Sequence, residues 1–279
     1  MDTAIKVDNL VKSYGANTVI RDISFSVDRG EIFALLGVNG AGKTTTLECI
    51  EGIRKYDSGS ISVNGKMGVQ LQSSSLPANI KSQEAYQMFS RWNNAAVDKD
   101  IFNVDGLDQI RDKTYRELST GQKRKLHLLL ALIGNPDIIF LDEPTAGLDV
   151  EGRVSLHEQI RKLKEMGKTI IMASHDMAEV ESLCDRIAIL KDGKIAFNGT
   201  TGELADKMEE GCRIHIKTEE PLQNAEFEQG YWVFRAENIG EALLEILEIC
   251  KKQHNTVLDV KVERTTLEQG FMGIAKEGQ

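Results

Sequence analysis

The feature that most constrains the fold is a glycine-rich segment, Gly37 to Thr45, which we call the P-loop. An apolar run, Ile32 to Leu36, precedes it, and Leu47, Ile50 and Ile53 follow in a helical pattern. A strand, a glycine-rich turn and a helix in this order form the context in which G-x-x-x-x-G-K-[ST] binds phosphates. Successive backbone N–H groups face one concavity, and the helix N-terminus adds roughly half a positive elementary charge. We therefore predict a site for a nucleoside triphosphate.

Individual P-loop residues have different predicted roles at this site. Lys43 can reach the β- and γ-phosphates, and the Thr44 hydroxyl is placed to ligate Mg²⁺. The residues predicted to hold the nucleotide here are Gly37, Val38, Asn39, Gly40, Ala41, Gly42, Lys43, Thr44 and Thr45.

The amino-acid composition and net charge exclude several classes of protein. The chain is 41% hydrophobic and 28% charged, which is ordinary for a globular protein. Its net charge of −9 argues against a nucleic-acid surface spread over the protein, although not against a local basic groove. Apolar runs such as Leu128 to Ile133 fall far short of the ~20 residues that span a bilayer. Because no signal segment opens the chain, we expect a cytoplasmic protein that reaches a membrane only through a partner.

Acidic residues and a histidine follow two further apolar runs. Ile138 to Leu141 leads directly into Asp142 and Glu143. A carboxylate at this place beside a P-loop usually organises Mg²⁺, and Glu143 could orient and activate water. His175 follows the strand-like run Thr169 to Ser174, at the end of a strand where open parallel sheets collect ligands.

A second helix N-terminus is predicted after Leu118-Ser119-Thr120-Gly121-Gln122, which we call the signature segment. The helical pattern runs from Lys123 to Gly134, and Ser119 or Thr120 can cap it. This would be a second helix terminus suited to an anion.

Two residues allow both a functional and a structural interpretation. Tyr14, in a predicted turn, could stack on an adenine ring or pack beside a strand end. Gln72, just past a predicted strand, could contact Mg²⁺ or the attacking water, or it could be a solvated loop residue. Taken alone, both residues favour the structural interpretation.

Other patterns describe the organisation of the chain. Tyr86, Phe89 and Trp92 predict one apolar helix face inside a small helical insertion, and such a stripe is more often core than contact surface. The loop Thr145 to Asp149 leads into a predicted amphipathic helix whose buried side is shared by Val150, Val154, Ile160 and Leu163. The tail predicts a β, β, α, β, α order over Cys212–Lys217, Tyr231–Arg235, Ile239–Lys252, Val257–Val262 and Thr266–Ala275.

Taken together, these motifs resemble the ATP-binding subunits of ABC transporters over residues 4–204. GVNGAGKTT resembles the Walker A motif, IIFLDEP the Walker B motif and LSTGQ the family signature. Gln72 matches the Q-loop, Gly147-Leu148-Asp149 the D-loop, His175 the switch histidine and Tyr14 the A-loop aromatic. This resemblance favours the functional interpretation of Tyr14 and Gln72.

The resemblance implies an α/β P-loop NTPase fold of ABC type. It has an antiparallel β subdomain, a mainly parallel core sheet and a helical insertion at about residues 73–135, all within an ATPase domain of residues 1–204. A small α+β accessory domain of residues 205–279 would follow.

The resemblance also implies how the site works. Two subunits dock head to tail, and each ATP lies between one P-loop and the signature segment of the other subunit. Ser119, Gly121, Gln122 and Asp149 then contact or shape the partner's nucleotide site. Thr44, Gln72 and Asp142 organise Mg²⁺, while the catalytic residues are Glu143, which polarises water, His175, which contacts the γ-phosphate, and Gln72.

The implied cofactors are ATP and Mg²⁺, and the implied partners are a separately encoded membrane permease and a second copy of the chain. The protein would lie on the inner face of the cell membrane through that permease, with no nucleic acid bound. The acidic tail resembles that of single-cassette bacterial ATPases paired with exporters of drugs, antibiotics or ions.

Two alternative functions stay open, and one residue departs from the family signature. The chain could be an ABC ATPase that acts as a switch on a ribosome or a nucleic-acid complex, or a nucleotide kinase, although a kinase would not explain LSTGQ or His175. Thr120 stands where the family signature commonly has glycine, and it adds bulk near the γ-phosphate.

Overall fold

The structure is a computed structural model that describes residues 2–70, 75–98, 107–208, 212–222, 225–236 and 238–263. The chain divides into two compact units, residues 1–200 and 201–279, whereas the sequence predicted the division after residue 204.

The first unit contains both strands and helices. Its strands are β1 (Thr3–Tyr14), β2 (Asn17–Asp28), β3 (Ile32–Leu36), β4 (Ser58–Val63), β5 (Met67–Gln70), β6 (Ile138–Asp142), β7 (Thr169–Ser174), β8 (Arg186–Lys191) and β9 (Lys194–Thr200). Its helices are α1 (Lys43–Ile50), α2 (Ser82–Trp92), α3 (Thr120–Ala131), α4 (Val150–Glu165) and α5 (Met177–Leu183).

The core sheet of the first unit has the strand order β5-β6-β7-β3-β8-β9. Neighbouring strands are parallel up to β8, and β9 pairs with β8 in the antiparallel sense. Every residue of β3, β6 and β7 is buried, as expected for parallel strands that are covered on both faces. Because β3, β6 and β7 are parallel, their carboxyl ends meet at one edge of the sheet.

A separate antiparallel sheet has the order β2-β1-β4. It shares a hydrophobic cluster with the core sheet, in which the rings of Phe25 and Phe33 stack with centroids 5.4 Å apart. The antiparallel subdomain and the mainly parallel core sheet confirm the fold class predicted from the sequence.

The helical insertion has its own hydrophobic cluster, formed by α2, α3 and the segments before α3. Tyr86 is buried in it, but Trp92 at the end of α2 is 68% exposed, so the predicted stripe is only partly core. Helix α3 spans Thr120–Ala131 and not the predicted Lys123 to Gly134. It begins three residues earlier because Ser119 is the residue that caps it.

The predicted buried side of α4 is wrong for two of its four residues. Val150 is 78% exposed and Val154 is 54% exposed, whereas Leu156, Ile160 and Leu163 are buried. Successive helix residues turn by about 100°, which places Val154 nearly opposite Leu156 and Leu163 and places Val150 to one side of the buried stripe.

The second unit begins with α6 (Thr201–Met208) and continues with a sheet and a helix. These elements are β10 (Cys212–Thr218), β11 (Glu226–Glu228), β12 (Tyr231–Ala236), α7 (Ile239–Lys252) and β13 (Val257–Glu263). The sheet order is β11-β12-β10-β13, with antiparallel pairs throughout. Ile214 and Ile216 of β10 pack in one cluster with Ile246 and Cys250 of α7. The short, exposed β11 was not predicted, and the helix predicted over residues 266–275 lies outside the described residues.

Across the described ranges, no helix is both long enough and apolar enough to cross a membrane.

Glu51, at the end of α1, is an acid that the fold partly buries. Burial raises the pKa of its carboxyl to about 7, and the nearby carboxylates of Asp142 and Glu48 act in the same direction. Its Oε2 is buried and has no hydrogen-bond partner among the described residues. The folded chain therefore retains a proton that the unfolded chain releases above its ordinary pKa of 4.5. This group lowers stability as the pH rises from about 4.5 to about 7.

The two faces of α4 give a first test of the packing. Ile160→Ala should lower the free energy of unfolding by about 2–5 kcal/mol, because it leaves a cavity in a fully buried position. The matched change Val154→Ala on the exposed face should alter it by less than about 0.5 kcal/mol. Urea unfolding of the full chain measures both values, and equal losses would contradict the observed orientation of the helix.

A second test concerns Glu51. Glu51→Gln should raise the free energy of unfolding at pH 8 by on the order of 1 kcal/mol, since the amide needs no ionisation in a partly buried place. At pH 5 the gain should be small, because the native carboxyl is already neutral there. Urea unfolding at both pH values, with the exposed Glu165→Gln as the control, measures the difference. A gain that is the same at both pH values would contradict the raised pKa.

Candidate active site

The P-loop joins the end of β3 to the start of α1, and its backbone requires glycine at two kinds of position. Gly40 and Gly42 have φ values of +86° and +106°, which other residues rarely adopt. Gly37 is needed for a close approach, because a Cβ added there would stand 2.6 Å from the Leu190 carbonyl oxygen on β8. The N-cap residue of α1 is Gly42, which has no side chain to satisfy the first N–H groups of the helix. These N–H groups can therefore bind an anion.

Lys43 is folded over the P-loop. Its Nζ donates hydrogen bonds to the carbonyl oxygens of Gly37 at 2.7 Å and Val38 at 3.3 Å. Burial lowers the pKa of the Lys43 ammonium, and the carboxylates of Glu143 and Asp142 oppose that shift. The result is a positive charge held among the backbone groups that are suited to phosphate.

Asp142, at the end of β6, has the environment expected of a metal ligand. It is 5% exposed, and its Oδ1 has no hydrogen-bond partner within the described parts of the chain. Burial raises the pKa of its carboxyl, while a hydrogen bond with the Thr44 side chain and the charge of Lys43 lower it. An unsatisfied buried carboxylate oxygen beside a hydroxyl is an oxygen donor set of the kind that Mg²⁺ prefers. Both residues therefore fit the predicted metal site.

Glu143 connects Lys43 to His175. Its side chain is 8% exposed, with Oε1 at 3.7 Å from Lys43 Nζ and Oε2 at 2.7 Å from His175 Nδ1. The Nδ1–H donates to the carboxylate in this geometry. The backbone of Glu143 has a φ of +47°, an uncommon value for a non-glycine residue, and its N–H donates to the Ala173 carbonyl oxygen at 3.0 Å. Strained backbone held by its surroundings is frequent at functional sites.

His175 follows β7 and is the exposed member of this group, with 55% of its side chain accessible. The pairing of Leu36 with Ser174 and of Asp142 with Ala173 brings the ends of β3, β6 and β7 side by side. The fold thus places the P-loop, the two acids and the histidine at one edge of the core sheet.

Glu179 is a buried acid at this edge that the sequence interpretation missed. It is 5% exposed and accepts a hydrogen bond of 2.6 Å from the hydroxyl of Ser174, the residue before His175. Burial raises the pKa of its carboxyl, and hydrogen bonds from Ser174 and Thr145 lower it. The available signal was the spacing from Asp176, which caps α5 by accepting from the Glu179 N–H.

The signature segment lies at the start of α3 in the helical insertion. Ser119 accepts from the Gln122 N–H at 3.2 Å, and the Gln122 side chain accepts from the Ser119 N–H at 3.2 Å. This reciprocal capping selects Ser119 over Thr120 as the N-cap residue and gives Gln122 a structural role. Gly121 follows in the first turn of the helix.

The other predicted residues have different surroundings. Tyr14 ends β1 with 43% exposure, and Lys12 Nζ and Arg54 Cζ lie 5.2 Å and 5.6 Å from its ring centroid. Asp149 caps α4 by accepting from the Gly152 N–H at 2.8 Å. Gln72 lies outside the described residues.

Comparison with known proteins adds to this geometry. Residues 20–146 match the family described as ABC transporter. An uncharacterized ABC transporter ATP-binding protein of Methanocaldococcus jannaschii is 40% identical over 214 residues, which cover 75% of this chain and 82% of the relative.

Two bacterial relatives have more specific names. The Nod factor export ATP-binding protein I of Paraburkholderia xenovorans is 36% identical, with 76% of each chain covered. The linearmycin resistance ATP-binding protein LnrL of Bacillus subtilis is 34% identical, with 73% of this chain and 71% of the relative covered.

A solved structure described as the ATP-binding subunit of an ABC transporter has a TM-score of 0.67 at 26% identity. The match covers 73% of this chain and 92% of that chain. With this fold, these motifs and these relatives, the chain belongs to the ABC transporter family, as one of its ATP-binding subunits with ATPase activity.

Proposed function

We propose that two copies of this chain dock head to tail and hold an ATP at each of two equivalent sites. The support is the presence of two helix N-termini suited to an anion, at α1 and α3, on different substructures of the first unit. A facing pair of subunits would bring α1 of one copy and α3 of the other to the same triphosphate. Ser119, Gly121, Gln122 and Asp149 then contribute to the nucleotide site of the partner.

The observation that carries the hydrolytic role is the buried Glu143, held between Lys43 and His175. Glu143 orients and polarises the attacking water, and His175 contacts the γ-phosphate from the exposed side. Lys43 and the P-loop N–H groups stabilise the charge on the phosphates. The reaction is an in-line attack of water, and catalysis comes mainly from positioning and charge stabilisation.

Thr44, Asp142 and Gln72 would hold Mg²⁺, and the unsatisfied Oδ1 of Asp142 supports this assignment. When bound, the ion would supply positive charge that offsets the charge developing on the phosphates. On the base side, Tyr14 stacks on the adenine ring, a contact worth on the order of 1–3 kcal/mol.

We further propose that the chain powers a separate membrane permease and that this permease works as an exporter. The names of two relatives support this direction, since one is named for Nod factor export and the other for linearmycin resistance. Contact with such a permease would hold the chain at the inner face of the cell membrane. The exposed surface of the helical insertion around Trp92 is the part we assign to that contact.

Glu143→Gln tests the dimer and the hydrolytic role together. The amide keeps the size of the side chain but cannot act as a base, so turnover of ATP should fall about 10²- to 10⁴-fold. The variant should still bind ATP, and light scattering with saturating ATP and Mg²⁺ should show a dimer.

The control is Glu165→Gln, which changes an exposed acid at the end of α4 and should leave turnover unchanged. A Glu143→Gln variant that stays monomeric with saturating ATP and Mg²⁺ would falsify the proposed head-to-tail dimer. Turnover near that of the parent chain would remove Glu143 from the catalytic role.

Trp92→Ala tests the permease contact. The full tagged chain, purified from detergent-solubilised membranes, should bring a multi-span membrane protein with it, and Trp92→Ala should reduce that recovery. ATPase activity of the isolated variant should not change, because Trp92 is 68% exposed and lies outside the site. Met166→Ala, at a 71% exposed position after α4, is the matched control. Equal recovery with all three chains would contradict the assigned surface.

A further inference from the structure

The buried acid Glu179 is bonded to the residues on both sides of His175. Its Oε2 accepts a hydrogen bond of 2.6 Å from the Ser174 hydroxyl, and both side chains are buried. The same hydroxyl oxygen accepts from the Asp176 N–H at 3.1 Å. Asp176 Oδ1 in turn accepts from the Glu179 N–H at 3.2 Å. These three hydrogen bonds close on themselves, and His175 is the residue that they enclose in the chain.

The Glu179 carboxylate decides which way the Ser174 hydroxyl points. A hydroxyl group has one hydrogen to donate, and its oxygen accepts in other directions. Because the hydrogen is donated to Glu179, the oxygen presents a lone pair to the Asp176 N–H. Without the carboxylate, the hydroxyl could turn toward another acceptor, and the turn at His175 would lose both bonds that pass through Ser174.

Helix α4 approaches the same acids from the side. Arg153 Nη1 lies 3.5 Å from Asp176 Oδ2, and His157 Nε2 lies 3.7 Å from Glu179 Oε1. The distance between His157 and Glu179 is too long for a hydrogen bond, and burial lowers the pKa of the His157 imidazole. Glu179 therefore acts on the site through Ser174 and not through an ion pair with α4.

The end of β7 also holds the partner of His175. The Ala173 carbonyl oxygen accepts from the Glu143 N–H at 3.0 Å, and His175 Nδ1 lies 2.7 Å from Glu143 Oε2. The residues before and after Ser174 thus both contact Glu143, one through the backbone and one through the side chain. A displacement of Ser174 would alter the geometry between the histidine and the glutamate.

We propose that Glu179 is a positioning residue for His175. By accepting from the Ser174 hydroxyl, it fixes the turn that brings His175 Nδ1 to the Glu143 carboxylate. Its effect on turnover rests on the proposed function, in which Glu143 orients the water and His175 contacts the γ-phosphate. Glu179 acts through these neighbours and is not itself a catalytic residue.

Two substitutions separate the hydrogen bond of Glu179 from its packing. Glu179→Gln keeps an oxygen that can accept from Ser174, whereas Glu179→Leu fills the space with an apolar group that cannot accept. Glu181→Leu makes the same change at an exposed position of α5 and is the matched control. The thermal midpoint of the full chain shows whether each variant is folded.

The first measurement is the position of the His175 ring proton in the nucleotide-free chain. The nitrogen that carries the proton is set by the hydrogen bonds of the ring, so the bond to Glu143 favours Nδ1–H. Spectra of ¹⁵N-histidine in the full chain at pH 8 report this position, and His175→Gln assigns the signal. The share of rings protonated at Nδ1 should fall about twofold or more in Glu179→Leu and stay unchanged in Glu179→Gln and Glu181→Leu.

The second measurement is ATP turnover. In Glu179→Leu, kcat should fall about ten- to hundredfold, because a displaced histidine no longer meets its partners in the required geometry. The KM for ATP should stay within about threefold, since the P-loop is unchanged and the lost interaction acts on the reacting groups. Glu179→Gln and Glu181→Leu should both keep kcat within about threefold.

The ring spectra decide the positioning role. An unchanged Nδ1 share in folded Glu179→Leu overturns it, and equal losses in Glu179→Gln and Glu179→Leu overturn it by assigning the effect to the charge. If Glu179→Leu does not fold, Ser174→Ala removes the same hydrogen bond from the other side, and the same fall in the Nδ1 share is expected.

Turnover of His175→Gln separates this inference from the proposed function. If that variant keeps the kcat of the parent chain, the proposed role of His175 fails, and the ring spectra still decide whether Glu179 positions it. If His175→Gln lowers kcat while Glu179→Leu lowers only the Nδ1 share, the position set by Glu179 has no consequence for the reaction and the inference is overturned.

Discussion

The site depends on one pair of buried opposite charges. Lys43 and Glu143 have side chains that are 6% and 8% exposed, with their charged atoms 3.7 Å apart. Each charge also has a second charged or polar neighbour, since the Asp142 carboxylate acts on Lys43 and His175 Nδ1 lies 2.7 Å from Glu143 Oε2. The remaining hydrogen-bonding capacity of the pair is used by the Gly37 carbonyl oxygen and by His175. Both groups are thus held at the same edge of the core sheet.

The sequence pattern was sufficient to predict those elements whose structure depends on a single short segment of the chain. The run from Ile32 to Leu36, the glycines after it and the start of α1 follow from their own sequence, because the strand, turn and helix preferences of these residues agree. The apolar run that ends in Asp142 was likewise predictable from its own sequence. The helix Ile239–Lys252 in the second unit was also predicted with its observed bounds, since Asn238 caps it and its apolar spacing is regular.

The errors and omissions arise where a residue's role depends on distant parts of the chain. Val150 and Val154 are apolar residues on the exposed face of α4, and hydrophobicity alone does not show which face meets the core. Ser119 caps α3 in preference to Thr120 because Gln122 returns the hydrogen bond. Glu179 is recognisable only once β7 and α5 place its carboxylate beside Ser174. Gln72 stays a prediction.

The close approach of Gly37 to Leu190 has a consequence for how the protein is made. The first residue of the P-loop packs against a carbonyl oxygen of β8, a strand that the ribosome delivers some 150 residues later. Until β8 pairs with β3, this corner of the loop lacks the strand against which it packs. A nascent chain that ends before β8 thus lacks a finished phosphate cradle, although it already contains the entire glycine-rich motif. Competence to bind nucleotide becomes a property of the assembled sheet, acquired late in synthesis.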